Sequence, residues 1–283
     1  MGSGFKIKTI SIMMIIVVMT SCIPDPIEVR NVVEEKPKIV VSSEILGSTV
    51  TILLTKSIGP LDANANTSWV SLLTDIVVSD ATVRIQSGSG QFYTLNYHDG
   101  AYSTSSMPLI VGQTYTLNVG STKYGLVTAT TILQPQVKFT NISAEMNVNG
   151  RDSLALVNYS FADKRGSNWY MVSGQHLTGN DPGAKVLNPR VTYRMYDDVA
   201  FEGGIKKDTF KILFDEVAPG DTVNIRLSSI TKEYYDYMKL RQDTRFGIEA
   251  ALGEPVNYPT NVVGGLGFFN LYMPDSRTLY LPR

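Results

Sequence analysis

The single cysteine of the chain, Cys22, follows a short apolar stretch and has the clearest chemical role of any residue. A basic segment with Lys6 and Lys8 precedes the mostly apolar residues 10–19, and two small polar residues lead to the cysteine. This order is typical of a secretory signal with its cleavage site. Cleavage before Cys22 makes its thiol part of the mature N-terminus, where acyl chains such as palmitate attach. We therefore predict a signal peptide over residues 1–21 and lipidation of Cys22.

The apolar stretch is too short to serve as a permanent membrane span. Ten helical residues extend roughly 15 Å, about half of the ~30 Å hydrocarbon core of a bilayer. Two alternatives stay open, an ordinary cleaved signal and an uncleaved anchor, because Met19 is less usual than leucine three places before a lipidated cysteine. We expect a lipid-anchored protein.

Composition narrows the classes of protein to which the rest of the chain can belong. It contains no further cysteine, which excludes a disulfide framework, a thiolate metal site and a cysteine nucleophile. With 43% hydrophobic and 18% charged residues the chain is globular. Loss of the signal leaves 23 basic and 26 acidic residues, a net charge of about −3. Nucleic acid is therefore an unsuitable partner.

Residues suited to catalysis are sparse. His98 and His176 are far apart in sequence, so neither a metal pair nor a Ser-His-Asp arrangement is indicated. The glycine clusters 203–204 and 264–267 lack the strand-then-helix context of dinucleotide binding, and we expect them to serve turns and tight entry into strands. The acid pair at 197–198, like the pair at 215–216, suits solvated loop charges better than a calcium site. We predict no enzyme activity, cofactor or metal.

The pattern of β-branched and aromatic residues predicts an all-β fold. Residues 22–37, rich in proline and charge, suit an extended tether. Short runs separated by turn residues then predict an antiparallel β-sandwich, immunoglobulin-like or prealbumin-like, over residues 38–134. Its predicted strands are 38–43, 49–55, 81–86, 92–97, 114–119 and 126–133, with Ser87-Gly88-Ser89-Gly90 as a hairpin turn.

A second sandwich-like domain is predicted over residues 135–283, after a break at Pro135. One helix interrupts it before the last strands: Thr231 caps it, residues 232–242 form it, and Tyr234, Tyr237 and Met238 share a face. We expect the two domains to be separately stable. The predicted strands of the second are 137–147, 153–161, 169–175, 190–196, 209–214, 223–228, 267–272 and 278–281.

Three further residues are candidates for contact or modification. Trp69 lies in the long segment 59–79, where it is either a partner or ligand contact or part of a flap over the core. Ser153 and Thr222 stand in Asp-Ser-Leu and Asp-Thr-Val triplets. Such triplets resemble the O-glycosylation acceptors of Bacteroidetes, and they are also short enough to arise by chance.

An ordered series of motifs gives the chain a family resemblance. A lipobox opens the series, which continues through 38–41, 80–83, 100–102 and 112–115 in the front half and 219–223, 227–237 and 261–269 in the back half. Together they resemble the Bacteroidetes lipoprotein family catalogued as domain of unknown function family 4249. The resemblance covers nearly the whole chain. It implies an outer-membrane lipoprotein often encoded beside a TonB-dependent receptor, and it transfers no catalytic residue.

These observations give one leading functional hypothesis and two alternatives. The leading one is a non-enzymatic, lipid-anchored accessory of a TonB-dependent outer-membrane uptake system, which binds the receptor or its ligand on either face of the membrane. A surface adhesin or glycan-binding lipoprotein would instead use exposed aromatic residues such as Trp69. An enzyme would need a convergent polar pocket.

Overall fold

Strands make up most of the structure, a computed structural model that describes residues 36–58, 74–149, 152–177, 191–213, 220–244 and 257–281. Seven strands follow one another in the first part of the chain. They are β1 (Ile39–Leu46), β2 (Thr49–Lys56), β3 (Thr82–Ser87), β4 (Phe92–His98), β5 (Ala101–Thr104), β6 (Thr114–Ser121) and β7 (Gly125–Ile132). All six strands predicted for this region are confirmed within two or three residues at their ends. Only the four-residue strand β5 has no counterpart in the sequence prediction.

Buried and exposed side chains alternate along the strands of the first sandwich. On β6 every second side chain is buried, with Tyr115 and Leu117 fully inaccessible, as half-buried strands require. The predicted hairpin after β3 is confirmed: the Gly90 amide donates to the Ser87 carbonyl at 2.8 Å. The aliphatic side chains of β1, β2, β3, β6 and β7 then form one core.

A late segment of the chain completes this sheet. The strand order is β14-β7-β6-β3-β4-β5-β2-β1-β15, where β14 (Val262–Val263) pairs antiparallel with β7 and β15 (Leu266–Phe268) pairs parallel with β1. Both ends of the order therefore belong to one short stretch of chain. We call residues 261–273 the closing segment. Phe269 and Leu271 follow β15 with no exposed surface, in the core of the first sandwich.

Glycines allow the closing segment to approach the sheet backbone. Gly267 has φ +86°, and a Cβ there would lie 2.2 Å from the Val41 carbonyl oxygen. Gly264 has φ +80°, and its Cβ would lie 2.4 Å from the Leu126 carbonyl oxygen. Only glycine adopts this backbone conformation without strain and leaves room for the contact. Gly264 and Gly265 lie in the turn that leads into β15, as expected for glycines at a tight strand entry.

A second sandwich follows β7. Its strands are β8 (Phe139–Asn149), β9 (Asp152–Ala162), β10 (Trp169–Leu177), β11 (Val191–Asp197), β12 (Ile205–Leu213), β13 (Thr222–Ile230) and β16 (Asp275–Tyr280). A four-stranded sheet of order β11-β10-β13-β16 faces a three-stranded sheet of order β12-β9-β8, and all pairings within the two sheets are antiparallel. Phe161, Phe210 and Ile225 lie between the sheets with no exposed surface.

Helix α1 (Lys232–Thr244) follows β13, as predicted. Thr231 caps it, because its hydroxyl accepts the Tyr234 amide at 3.2 Å. Met238 is buried and Tyr234 packs beside it over Met171 and Tyr272. The predicted shared face of the helix is confirmed. No helix in the described ranges has the length and apolarity that crossing a membrane demands.

Among the described residues, an ion pair and a ring contact join the two sandwiches besides the chain itself. Glu44 of β1 pairs with Arg226 of β13, and Tyr234 of α1 packs against Phe268 of the closing segment. Within the first sandwich, the Ser43 hydroxyl bonds both to the carbonyl and to the amide of Asn270, each at 2.8 Å. Residues 37–283 form one compact unit, and the closing segment lies within the first sandwich although it belongs to the predicted C-terminal domain. The domain boundary near Gln134 stays a prediction.

Candidate functional site

A groove of about 680 Å³ opens where the two sandwiches meet. Its first wall comes from the end of β7, the loop after it and the start of β6, with Thr114, Thr130, Thr131, Ile132 and Gln134. Its second wall is the end of β13, the start of α1 and the loop before β10, with Ser167, Asn168, Trp169, Ser229, Ile230, Thr231, Lys232 and Glu233. Asn261 and Phe268 of the closing segment complete the lining. We call it the junction groove.

Asn261 holds the first wall in place. Its side-chain amide donates to the Thr130 carbonyl at 2.9 Å and to the Phe269 carbonyl at 2.7 Å, and its Oδ1 accepts the Phe269 amide at 2.9 Å. The Gln134 side chain donates to the Ile132 carbonyl at 3.3 Å. Side chains thus cover the outward carbonyls of the β7 edge, which otherwise invites another strand.

A hydrogen-bonded loop fixes Trp169 in the second wall. The Asn168 amide donates to the Asp198 carboxylate at 2.7 Å, and the Asn168 side chain donates to the Lys164 carbonyl at 2.7 Å. Trp169 is half-buried and packs beside Met171 and Ile230, which leaves part of the indole on the groove. The prediction that Asp198 is a solvated loop charge is wrong, because Asp198 is buried and anchors this loop.

Several polar groups of the groove have no partner. Within the described ranges, no hydrogen bond involves the hydroxyls of Thr114, Ser167 and Ser229 or the Gln134 Oε1. Ser229 as a whole residue is only 7% exposed. The two charged lining residues, Lys232 and Glu233, have opposite signs. The described lining is therefore neutral, hydroxyl-rich and partly aromatic.

A second polar cluster links the two sheets of the second sandwich, with Tyr159 and Asp208 on the three-stranded sheet and Tyr196 on the four-stranded one. The hydroxyls of Tyr159 and Tyr196 bond to each other, and Tyr196 donates to Asp208 at 2.8 Å. Burial raises the pKa of Tyr159 to about 12. Burial alone would raise the pKa of the Asp208 carboxyl, but the bond from Tyr196 and the nearby cations Arg194 and Lys206 bring it below its ordinary value. Each group in this chain of contacts has a partner, so we assign it a structural role.

The two histidines lie apart in the structure. His98 is 80% exposed beside Asp99, while the His176 side chain is 6% exposed and bonds to Asp221 at 2.8 Å. Among the described residues no three His, Cys, Asp or Glu side chains are grouped as metal ligands. These positions give no acid-base pair and no metal centre to the groove.

The structure describes only some of the remaining candidate residues. Cys22 and Trp69 lie outside the described residues, so lipidation and the Trp69 contact stay predictions. Ser153 lies near the start of β9. Thr222, the first residue of β13, is half-buried between Leu177 and Tyr280 in the sheet, and glycosylation at either position stays a prediction. Sequence reasoning places Trp169 only at the start of a strand and misses its place in the groove.

Comparison with known sequences and structures identifies one family. A family described as "domain of unknown function (DUF4249)" matches residues 25–278. Among curated proteins nothing matches the chain. Solved structures similar to it include a two-domain fibronectin type III segment of chicken tenascin, with 14% identity, 87% of this chain and 99% of that one covered, and a TM-score of 0.22. Chicken CNTN1 domains FN1–FN3 give 12% identity, 87% and 67% coverage and a TM-score of 0.25.

Proposed function

The chain belongs to the family described as domain of unknown function DUF4249, and from this premise we propose that it is a non-enzymatic, lipid-anchored binding protein of the cell envelope. Its role is that of an accessory to a TonB-dependent outer-membrane uptake system. The signal-like segment ending at Cys22 and the family resemblance support the anchor and the compartment. The junction groove is the part of the molecule that binds the receptor or its ligand.

The observation that carries the proposal is the groove itself. It lies between two sandwiches and has unpartnered hydroxyls on both walls, which is typical of ligand sites between domains. Its walls are held by side-chain hydrogen bonds of Asn261 and Asn168, so the site is formed before a ligand arrives. A preformed site loses less conformational entropy on binding than a mobile one.

Affinity purification of the lipidated protein from its native outer membrane tests the proposal. We expect a large β-barrel receptor to copurify with the tagged wild-type chain. Trp169→Ala should reduce its recovery, because this change removes the aromatic surface of the groove. Trp69→Ala, which alters the only other tryptophan of the chain, tests the alternative contact beside it.

The two variants separate the possible results. Loss of the barrel with Trp169→Ala alone supports the groove, whereas loss with Trp69→Ala alone would move the contact to the segment 59–79. If no barrel copurifies with the wild-type protein, the uptake role is wrong. The adhesin or glycan-binding alternative based on Trp69 stays a prediction that binding of whole cells to host glycans would test.

A further inference from the structure

We infer that the junction groove takes a neutral, hydroxyl-bearing ligand of the oligosaccharide class. This inference rests on the proposed binding role of the groove and adds the chemistry of what it binds. Four observations carry it: the neutral lining, the unpartnered hydroxyl and amide groups, the partly accessible indole of Trp169, and the rigid walls.

The unpartnered groups suit a ligand that both donates and accepts hydrogen bonds. The hydroxyls of Thr114, Ser167 and Ser229 can do either, and the Gln134 Oε1 accepts. A sugar hydroxyl meets both requirements at every carbon that bears one. The Ser229 hydroxyl matters most, because a hydroxyl on a residue that is only 7% exposed gains more from a ligand partner than a solvated one does.

Trp169 supplies the apolar surface that a sugar ring needs. An indole buries a large area at low entropic cost, and the C–H face of a pyranose is flat enough to lie on it. Ile132 and Phe268 extend this apolar surface along the groove. The ligand thus meets an aromatic plane on one side and hydrogen-bonding groups around its edge.

The charges of the groove argue against an ionic ligand. Lys232 is already paired with Asp236 at 2.6 Å, which leaves no unpaired cation in the described lining for a carboxylate or phosphate. Glu233 stands next to it and would repel an anion. An apolar ligand would leave the Ser229 hydroxyl buried without a partner, at a cost in affinity.

Titration of the folded chain with defined oligosaccharides tests the inference. The panel contains maltohexaose, cellohexaose, mannohexaose and xylohexaose as neutral probes, oligogalacturonate as an anionic probe and an extended hexapeptide. Trp69→Phe leaves Trp169 as the only tryptophan, so its fluorescence reports on the groove. We expect at least one neutral probe to change this fluorescence and to give a matching calorimetric isotherm.

Groove variants then localise the binding. Trp169→Ala should weaken binding of the neutral probe at least about tenfold, and Trp169→Phe less, because the ring is kept. Should Trp169→Ala fail to fold, Ser229→Ala and Gln134→Ala serve instead, each with an expected loss of roughly three- to tenfold. Thr82→Ala, an exposed change outside the groove, is the matched control and should leave affinity unchanged.

Three results of these titrations would overturn the inference. Binding of oligogalacturonate or the peptide alone refutes the ligand class, and binding that the groove variants leave unchanged refutes the site. If no neutral probe binds at millimolar concentration, the inference also fails. Copurification of a β-barrel in the membrane experiment would show that the proposed function survives this failure.

Discussion

The carboxylate of Glu44 on β1 and the guanidinium of Arg226 on β13 form an ion pair across the junction of the two sandwiches. Their side chains are only 22% and 12% exposed. Arg226 connects this pair to other polar groups of the second sandwich, because it also donates to the Asn224 side chain at 2.9 Å. Asn224 in turn bonds to Ser276 and Thr278. The pair therefore anchors the first sandwich to a polar network on the second.

Replacing Arg226 with methionine should destabilise the protein by about 3 kcal/mol or more, since it leaves a buried carboxylate without its cation. The double variant Glu44→Gln/Arg226→Met should recover part of this loss, because no unpaired charge then remains. Urea unfolding of the wild type, both single variants and the double variant gives the coupling energy. Strictly additive losses would show that the two side chains do not interact.

The stability of the wild type and of Arg226→Met should also depend differently on pH. Burial raises the pKa of Glu44 above its ordinary value, although Arg226 opposes the rise. The folded state therefore binds a proton here more readily than the unfolded state, and this group's contribution to stability falls as pH rises between the two pKa values. Without Arg226 the interval widens, so Arg226→Met should lose more stability than the wild type as pH rises above the ordinary pKa of a glutamate. Equal pH profiles would contradict this.

Gly267→Ala should reduce stability by more than about 2 kcal/mol, because it adds a clash with the Val41 carbonyl to the left-handed strain of roughly 1–2 kcal/mol. Gly47→Ala is the matched control. Gly47 has φ +62° but nothing within 4 Å of the position that a Cβ would take, so its variant bears only the backbone strain. Equal losses in the two variants, measured by urea unfolding, would show that the close approach of β15 to β1 is unimportant.

A fragment of residues 37–134 should be less stable than the same sandwich in the full chain. It lacks the closing segment, so the edges of β1 and β7 lose their pairing and the core loses Phe269 and Leu271. A synthetic peptide of residues 257–273 added to the fragment should raise its thermal midpoint. A fragment that is as stable as the full chain, and indifferent to the peptide, would instead support the independent domain expected from the sequence.

Tyr234→Ala should destabilise the protein by about 3 kcal/mol or more. Tyr234 contacts Phe268 and Tyr272 at ring-centroid distances of 5.4 and 6.1 Å and links α1 to β15. Tyr235→Ala on the same helix is the control, because the Tyr235 hydroxyl makes an exposed bond to Asp197. We expect that control to lose much less. A wild-type urea midpoint for Tyr234→Ala would mean that the ring belongs to a contact surface.

Cys22→Ser should release the protein from the membrane fraction or leave its precursor unprocessed. Each buried methylene of an acyl chain contributes about 0.8 kcal/mol to membrane binding, and serine cannot carry the lipid through a thiol. Ser21→Ala, which keeps the cysteine, is the control. Palmitate labelling and fractionation measure the outcome, and a labelled, membrane-bound Cys22→Ser protein would disprove the predicted anchor.

Local patterns determine most of the secondary structure. Alternation on β6 and the glycine hairpin after β3 are short-range signals, and the Thr231 cap marks α1. The predicted strand 267–272 is too long: only Leu266–Phe268 pairs as a strand, because Phe269 and Leu271 turn into the core and Asn270 bonds to Ser43. Strand β12 begins at Ile205, four residues earlier than predicted. The sequence did not indicate this start, because charged residues there interrupt the alternation of apolar and polar side chains.

The junction groove could not be predicted from the sequence, and the reason is physical. Its walls come from chain segments far apart, such as Thr130 and Asn261, which meet only because the closing segment pairs with β7. No periodicity in a single sequence reports a pairing of two residues over such a separation. The proline and glutamines at 134–136 indicate the link between the two sandwiches, but they do not indicate which residues form the opposite wall of the groove.

The closing segment also constrains when the first sandwich can be completed. Ser43 and Asn270, which bond to each other, are separated by 227 positions. During synthesis the seven N-terminal strands emerge long before the strands that cover their edges, so native contact order is high and the last step of folding is slow. Until then β1 and β7 present open edges that favour intermolecular pairing. The order of synthesis therefore leaves two sheet edges unprotected until the C-terminal residues arrive.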